Sequence, residues 1–272
     1  MFCGKPLRLR RFFRHTRTVI VPMDHPMFSG PVSGLENPLE MVRLIASSEA
    51  DGILVSPWAL SRLAPALGQL GVIARLDGGN TCLGQRIDQT DVVTSVEQAL
   101  RVGADMVALN IFVGGENEAE MLQKLGRVSE ACATWGVPLM AEMIPAPALT
   151  HHYGKDKERS YDYAGLDESV AIVSRIGAEF GADIIKTVYP GKPDDLARAV
   201  CTATVPIVIA GGPKTGSDVE FLSMVKDCVA AGAAGVCMGR NVWQRPQPER
   251  MIAALCAIVH SNASVDEAMG LL

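Results

Sequence analysis

Lys186 interrupts the run Ile184-Ile185-Lys186-Thr187-Val188-Tyr189, a segment otherwise built to be buried. Burial of an amine favours its neutral form and lowers its pKa, which makes it a nucleophile toward carbonyl carbon. The other reading of such a lysine is an ion pair with a carboxylate on a neighbouring strand. Two carboxylates are placed to meet it: Asp24 ends the apolar run Thr18 to Asp24, and Glu142 lies inside the run Pro138 to Ile144. A carboxylate beside an amine can stabilise its charge or exchange a proton with it. Glycine-rich stretches form a third group, in Ala210-Gly211-Gly212-Pro213-Lys214-Thr215 and Gly239-Arg240-Asn241. Glycines at a strand end let backbone N–H groups approach phosphate oxygens, although a Gly-Gly pair can also do no more than turn the chain.

These residues fall at the ends of regularly spaced elements. Eight short apolar runs recur: Thr18 to Asp24, Gly52 to Ser56, Val72 to Gly78, Met106 to Phe112, Pro138 to Ile144, Asp183 to Tyr189, Pro206 to Gly211 and Ala234 to Arg240. Near-continuous apolar runs of this length suit parallel strands buried on both faces. Amphipathic helical patterns separate them, such as Asp91 to Val102, with Thr90 or Asp91 as cap, and Ser217 to Ala231. Gly103, Gly181 and Gly232 each stand between a helix and the next strand. Eight strand–helix units predict a single-domain (β/α)8 TIM barrel over residues 18–262, with a basic segment at 1–17 and a tail at 263–272. A doubly wound sheet is disfavoured, because no G-x-G-x-x-G follows the first strand.

Catalytic groups of a barrel come from the C-terminal ends of its strands. That places Asp24, His25, Asp77, Asn110, Glu142, Lys186, Gly211, Gly212, Gly239 and Arg240 on one rim. His25 is adjacent to Asp24, and strand alternation points it to the other face if the strand persists. Glu142 enters the barrel only if it shares the inward face. Arg240 could bind phosphate or pair with a carboxylate outside the pocket. The long connection after the fifth run, Pro145 to Leu166, contains His151, His152 and Tyr153 as proton donors or metal ligands. No further histidine stands at ligand spacing, so no metal site is expected.

The chain has 272 residues, 48% hydrophobic and 20% charged, with 25 Lys plus Arg against 30 Asp plus Glu and a net charge of −5. An acidic balance gives no electrostatic basis for binding nucleic acid. The basic cluster Lys5, Arg8, Arg10, Arg11, Arg14 and Arg17 reads as a solvated or subunit-contacting segment. No apolar run approaches the ~18 residues that span a bilayer. Seven scattered cysteines without a C-x-x-C pair read as reduced thiols. A cytoplasmic protein with no membrane association is expected.

The segments Pro22 to Pro38, Ala182 to Gly191, Val205 to Leu222 and Ala231 to Gln244 together resemble the DeoC/LacD aldolase superfamily. Within it they are most similar to the archaeal-type class I fructose-bisphosphate aldolase group. The resemblance extends over about residues 18 to 262. It implies a Schiff-base lysine at Lys186, an acid/base aspartate at Asp24, and phosphate held by Gly211, Gly212, Gly239 and Arg240. It also implies chemistry without a cofactor, and a homo-oligomer, often a ring of ten subunits. Two departures stand out. Aldolases of the group carry Tyr-Pro-Arg-Gly after the fifth strand, where this chain has Ile144-Pro145-Ala146-Pro147. Synthase-like members carry His-Lys-Gly after the second strand, where this chain has Ser56-Pro57-Trp58. The missing basic groups argue for a substrate phosphorylated at one end, and the missing tyrosine leaves Glu142, His151 or Tyr153 to transfer protons. The thiolase-like branch of the group also lacks the tyrosine, and Gly78-Gly79-Asn80-Thr81 resembles its third-strand segment.

The leading expectation is therefore a class I aldolase acting on a monophosphorylated keto compound. The alternatives are a transaldolase-type synthase, an acyl transfer from a phosphorylated diketone to coenzyme A, and a non-catalytic sugar-phosphate-binding regulator.

Overall fold

A computed structural model describes residues 4–84, 86–146 and 166–272, the side chain of Asp167 apart. Eight parallel strands close into a barrel: β1 (Thr18–Pro22), β2 (Gly52–Val55), β3 (Gly71–Arg75), β4 (Met106–Val113), β5 (Leu139–Pro145), β6 (Ile184–Val188), β7 (Ile207–Ala210) and β8 (Gly235–Cys237). Each pairs with its neighbours in sequence, and β1 closes the ring on β8. The eight apolar runs of the sequence are these eight strands.

Strand alternation divides the core in two. Ile20, Leu54, Ile73, Ala108, Met140, Ile184, Val208 and Cys237 form one cluster inside the barrel. Residues of the other parity, such as Val19, Ile53, Val72, Leu109 and Ile185, pack outward against the helices. One step of two residues beyond the inner cluster leads to Pro22, Arg75, Asn110, Glu142, Lys186 and Ala210, which line a pocket at the C-terminal rim. The apolar layer is thus the floor on which a polar layer stands.

The helices start and stop as local chemistry requires. Ser217 accepts a hydrogen bond from the Glu220 N–H to cap Asp218–Ala230, and Ser264 forms a reciprocal capping box with Glu267. The helix expected over Asp91 to Val102 is shorter. It spans Val96–Arg101 behind a Ser95 cap, because Asp91–Val92 instead pairs antiparallel with Asp77–Gly78 in a small ribbon over the rim.

The arginines of the basic N-terminal segment stay largely at the surface, with the side chains of Arg11 and Arg14 58% and 40% exposed, but the segment is docked on the barrel by an apolar residue. Phe12 is fully buried and plugs the N-terminal end of the barrel, where any Cβ on Gly52 or Gly71 would lie within 3 Å of its ring. Three ion pairs pin the segment there: Lys5–Asp183 at 2.8 Å, Arg11–Asp105 at 3.0 Å and Arg14–Asp51 at 3.4 Å. Each of these aspartates precedes a strand and also accepts a backbone N–H from the adjacent strand: Val19 for Asp51, Val72 for Asp105 and Leu139 for Asp183. His260 Nε2 lies 2.9 Å from Asp51 Oδ2, which accepts from it, and the His260 ring stacks on His15. The six described cysteines are free thiols, and no described helix is long and apolar enough to cross a membrane.

Candidate active site

The inward positions of β4, β5 and β6 are consecutive in register: Asn110 pairs with Glu142, and Glu142 with Lys186. Glu142 therefore does enter the barrel, as its parity allowed. Its carboxylate bridges two cations, one oxygen to each. Lys186 Nζ lies 3.0 Å from Oε1, and Arg75 Nη2 donates to Oε2 at 2.5 Å. Arg75 continues the chain of charges, donating from Nε to Asp24 Oδ2 at 2.9 Å. Lys186, Glu142, Arg75 and Asp24 so form an alternating row across the barrel, all at least nine-tenths buried.

The row sets the protonation states. Burial raises the Glu142 carboxyl pKa, but Lys186 and Arg75 outweigh it and hold the value at about 2. Asp24 lies far below the ordinary carboxylate range for the same reason: burial opposes the charge, while Arg75, a hydrogen bond with His25, and Lys186 favour it. Arg75, desolvated yet faced by Asp24, Glu142 and Asp77, is held more firmly protonated than a free guanidinium.

Lys186 departs from the sequence-based expectation. Burial does favour the neutral amine, but the Cys237 sulfur, Glu142 and Asp24 act the other way, and the net shift is upward. Burial pushes the Cys237 thiol up to about 12, so at neutral pH it carries no charge and the two carboxylates do the holding. The two readings of Lys186 thus meet in one geometry: the amine is buried, and it is ion-paired.

His25 begins the short helix Pro26–Ser29 and is no longer in strand conformation. It therefore turns to the pocket side, with Nδ1 3.8 Å from Asp24 Oδ1 and its ring edge-on to Trp243 at 5.6 Å. Gly211, Gly212, Gly239 and Arg240 line the same pocket. Gly212 has φ +63°, open to glycine at little strain, and a Cβ on Gly239 would lie 2.7 Å from Trp243 Nε1. Asn241 stitches these two strand ends together. Its Nδ2 donates to the Gly211 and Pro213 carbonyls at 3.0 and 2.9 Å, and its Oδ1 accepts from the Thr215 N–H at 2.9 Å.

Asp77 does not face the pocket. It sits behind it, 3.1 Å from the buried Lys124 and 3.7 Å from Arg75 Nη1. Ile144, the position at which the family resemblance led one to expect tyrosine, is 1% exposed and can transfer no proton. His151, His152 and Tyr153 lie outside the described residues. Arg75, Lys124 and Asn241 were not singled out by the sequence reading. Arg75 carried the same signal as Lys186, a cation inside the apolar run Val72 to Gly78. Asn241 stood inside the stretch Gly239-Arg240-Asn241 but with no role of its own, and Lys124 carried no signal, since a lysine in a helix is ordinarily solvated.

Residues 18–245 match the model of the DeoC/LacD family aldolases. The chain belongs to this family. The aldolase-family chain is 37% identical to 2-amino-3,7-dideoxy-D-threo-hept-6-ulosonate synthase 1 of Archaeoglobus fulgidus, over 98% of this chain and 95% of that protein. Among solved structures it is similar to an archaeal fructose 1,6-bisphosphate aldolase, at 30% identity and a TM-score of 0.81, covering 93% of this chain and 97% of the other. A second archaeal fructose-1,6-bisphosphate aldolase, solved with its catalytic lysine covalently bound to the carbinolamine intermediate of its substrate, matches at 29% identity and a TM-score of 0.81, with coverage of 93% and 97%. The family is one of class I, Schiff-base aldolases, so this chain is an enzyme that makes or breaks carbon–carbon bonds.

Proposed function

We propose that the chain is a class I aldolase or aldol-type synthase acting on a monophosphorylated keto compound, with Lys186 as the imine-forming amine. The observation that carries this reading is the 3.0 Å contact between Lys186 Nζ and Glu142 Oε1 inside the barrel. The resting ammonium is not a nucleophile, and a proton acceptor in hydrogen-bond reach is what releases it. As the substrate carbonyl enters, Lys186 gives a proton to Glu142, and the neutral amine adds to the carbonyl carbon to form a carbinolamine. Glu142 returns that proton to the departing hydroxyl, so water leaves and a protonated imine remains. The imine withdraws the electron pair of the adjacent carbon–carbon bond, and no metal ion is needed for this. Asp24, kept ionised by Arg75, acts as the base that takes the proton of the cleaving hydroxyl and stabilises the iminium charge. Condensation runs the same steps backward.

Gly211, Gly212, Gly239 and Arg240 are assigned to the phosphate, because two glycine-bearing strand ends converge on one side of the pocket and Asn241 holds them in place. Glu142 takes over the proton transfer that tyrosine performs in related aldolases. The test is reduction with borohydride in the presence of dihydroxyacetone phosphate and longer ketose phosphates, followed by mass spectrometry. An adduct on Lys186, absent from Lys186→Met, is the expected result. No adduct with any member of the panel overturns the reading. Ile144 in place of tyrosine favours one second reading, acyl transfer to coenzyme A from a phosphorylated diketone, and cleavage that requires coenzyme A would select it.

A further inference from the structure

Asn110 has a side chain that is 1% exposed and lines the pocket, and among the described residues neither its Oδ1 nor its Nδ2 has a hydrogen-bond partner. A buried amide with four unused hydrogen-bonding positions is strongly unfavourable unless a ligand or water completes it. Its backbone, by contrast, is held with unusual care. The Asn110 N–H donates to Asp77 Oδ2 at 2.9 Å, and its carbonyl accepts from Lys124 Nζ at 2.8 Å. Asp77 and Lys124 are themselves a buried ion pair, and Lys124 is further tied to Thr90 Oγ1 at 2.8 Å. Burial lowers the Lys124 pKa, yet Asp77 retains it as a partner. A desolvated ion pair is an expensive way to stabilise a fold, and here both its members converge on one residue whose side chain faces the reaction space.

The barrel order says which part of a substrate reaches it. Around the ring, β7 and β8 carry the glycine-rich ends, β6 carries Lys186, β5 carries Glu142 and β4 carries Asn110. In an eight-stranded barrel β4 is diametrically opposite β8. A substrate with its phosphate at β7 and β8 and its imine carbon at β6 therefore points its remaining chain toward β4 and β3. The chemistry of that end follows from the charges already engaged. Arg75 is held by Asp24, Glu142 and Asp77, and Lys186 by Glu142. Among the described residues, the side of the pocket opposite the glycines thus presents a neutral amide rather than an unengaged cation.

We propose that Asn110 is a specificity-determining residue that reads an uncharged oxygen, a hydroxyl or carbonyl, on the non-phosphorylated end of the substrate. This deepens the aldolase reading and rests on it. Asn110 Nδ2 donates to that oxygen and Oδ1 accepts from a hydroxyl, so polyhydroxylated or keto chains are preferred over deoxygenated ones. The proton-transfer groups are not altered by its removal.

The experiment compares wild type with Asn110→Leu, of similar shape, and Asn110→Asp, using reductive trapping and kcat/KM. The probes are dihydroxyacetone phosphate, too short to reach β4, and the 1-phosphates of ketoses of four to seven carbons. Wild type gains efficiency as the chain lengthens. Asn110→Leu abolishes that gain, a loss of about 10-fold for the best long probe, as expected for one neutral hydrogen-bonding group left unmade, while trapping by dihydroxyacetone phosphate falls by a much smaller factor. Asn110→Asp shifts the preference toward probes whose contacted oxygen is a hydroxyl donor. Equal losses for short and long probes indicate a merely structural role and overturn the proposal, as does a wild type that shows no preference for any longer probe. Failure of the Schiff-base reading is separate and visible in the wild type alone, as the absence of an adduct with every probe.

Discussion

Arg75→Met removes the cation that joins Asp24 to Glu142 without changing the length of the side chain greatly. Two close charges a few ångströms apart interact by about 4 kcal/mol at the effective dielectric that describes protein sites best. That equals about 3 pKa units for each carboxylate. Glu142 keeps Lys186 at 3.0 Å, so its pKa rises from about 2 to about 5 rather than to the value of an isolated buried acid. A protonated Glu142 cannot accept the Lys186 proton, and imine formation should therefore fail below this value. The assay is cyanoborohydride trapping of a ketose phosphate as a function of pH, from about pH 4 to about pH 8. Wild type should show no acid limb in this range, and the variant should show one near pH 5. The same substitution leaves buried negative charge unpaired, so urea unfolding should report a loss of about 3–5 kcal/mol. Arg75→Lys, which restores a cation but not the forked contact, should give an intermediate limb and a smaller loss. A limb that does not move between wild type, Arg75→Lys and Arg75→Met would refute the argument that Arg75 sets the protonation state of Glu142.

Three further outcomes are expected. Phe12→Ala should cost about 3–5 kcal/mol in urea unfolding, because the backbone of Gly52 and Gly71 around the ring cannot collapse into the space, and a loss under about 1 kcal/mol would deny the plug its role. The pKa values of Asp24 and Glu142 are lowered on folding, so their contribution to stability is complete above the ordinary carboxylate values, near pH 4, and is lost as pH falls toward the folded values. Lys186 is raised, so its contribution is complete below about pH 10.4 and is lost as pH rises through the folded value. Urea midpoints should decline on both sides, and Glu142→Gln should flatten the acid decline; an unchanged acid slope in that variant would contradict the assignment. Gly212→Ala, at φ +63°, should weaken binding of ketose phosphates and destabilise the fold by about 1 kcal/mol, whereas an unperturbed Michaelis constant would remove Gly212 from the phosphate site.

The barrel itself was legible in the chain, because strands buried on both faces must be apolar along their whole length. Eight such runs with helical patterns between them leave few other arrangements. Lys186 was legible for the same reason: a charged residue stands out where everything around it is apolar. Arg75 stood out equally, but its partners did not, and an isolated cation in a run does not reveal that Asp24 and Glu142 lie on either side of it. The protonation of Lys186 was left open between two readings on that account. Sequence reports the desolvation that opposes charge, whereas the distance to Glu142, 3.0 Å across two strands 44 residues apart, decides that the charge survives. The basic N-terminal cluster shows the same limit. Its charge was plain, but its docking on the barrel depended on Asp51, Asp105 and Asp183 standing together on one rim. Sequence alone determined the eight strands and, through a period of two, which residues of a run share a face, but with both faces apolar it left open which face turns inward. Only closure of the ring decided which of them meet, because pairwise electrostatics and hydrogen bonds act over a few ångströms and such contacts join residues far apart in the chain.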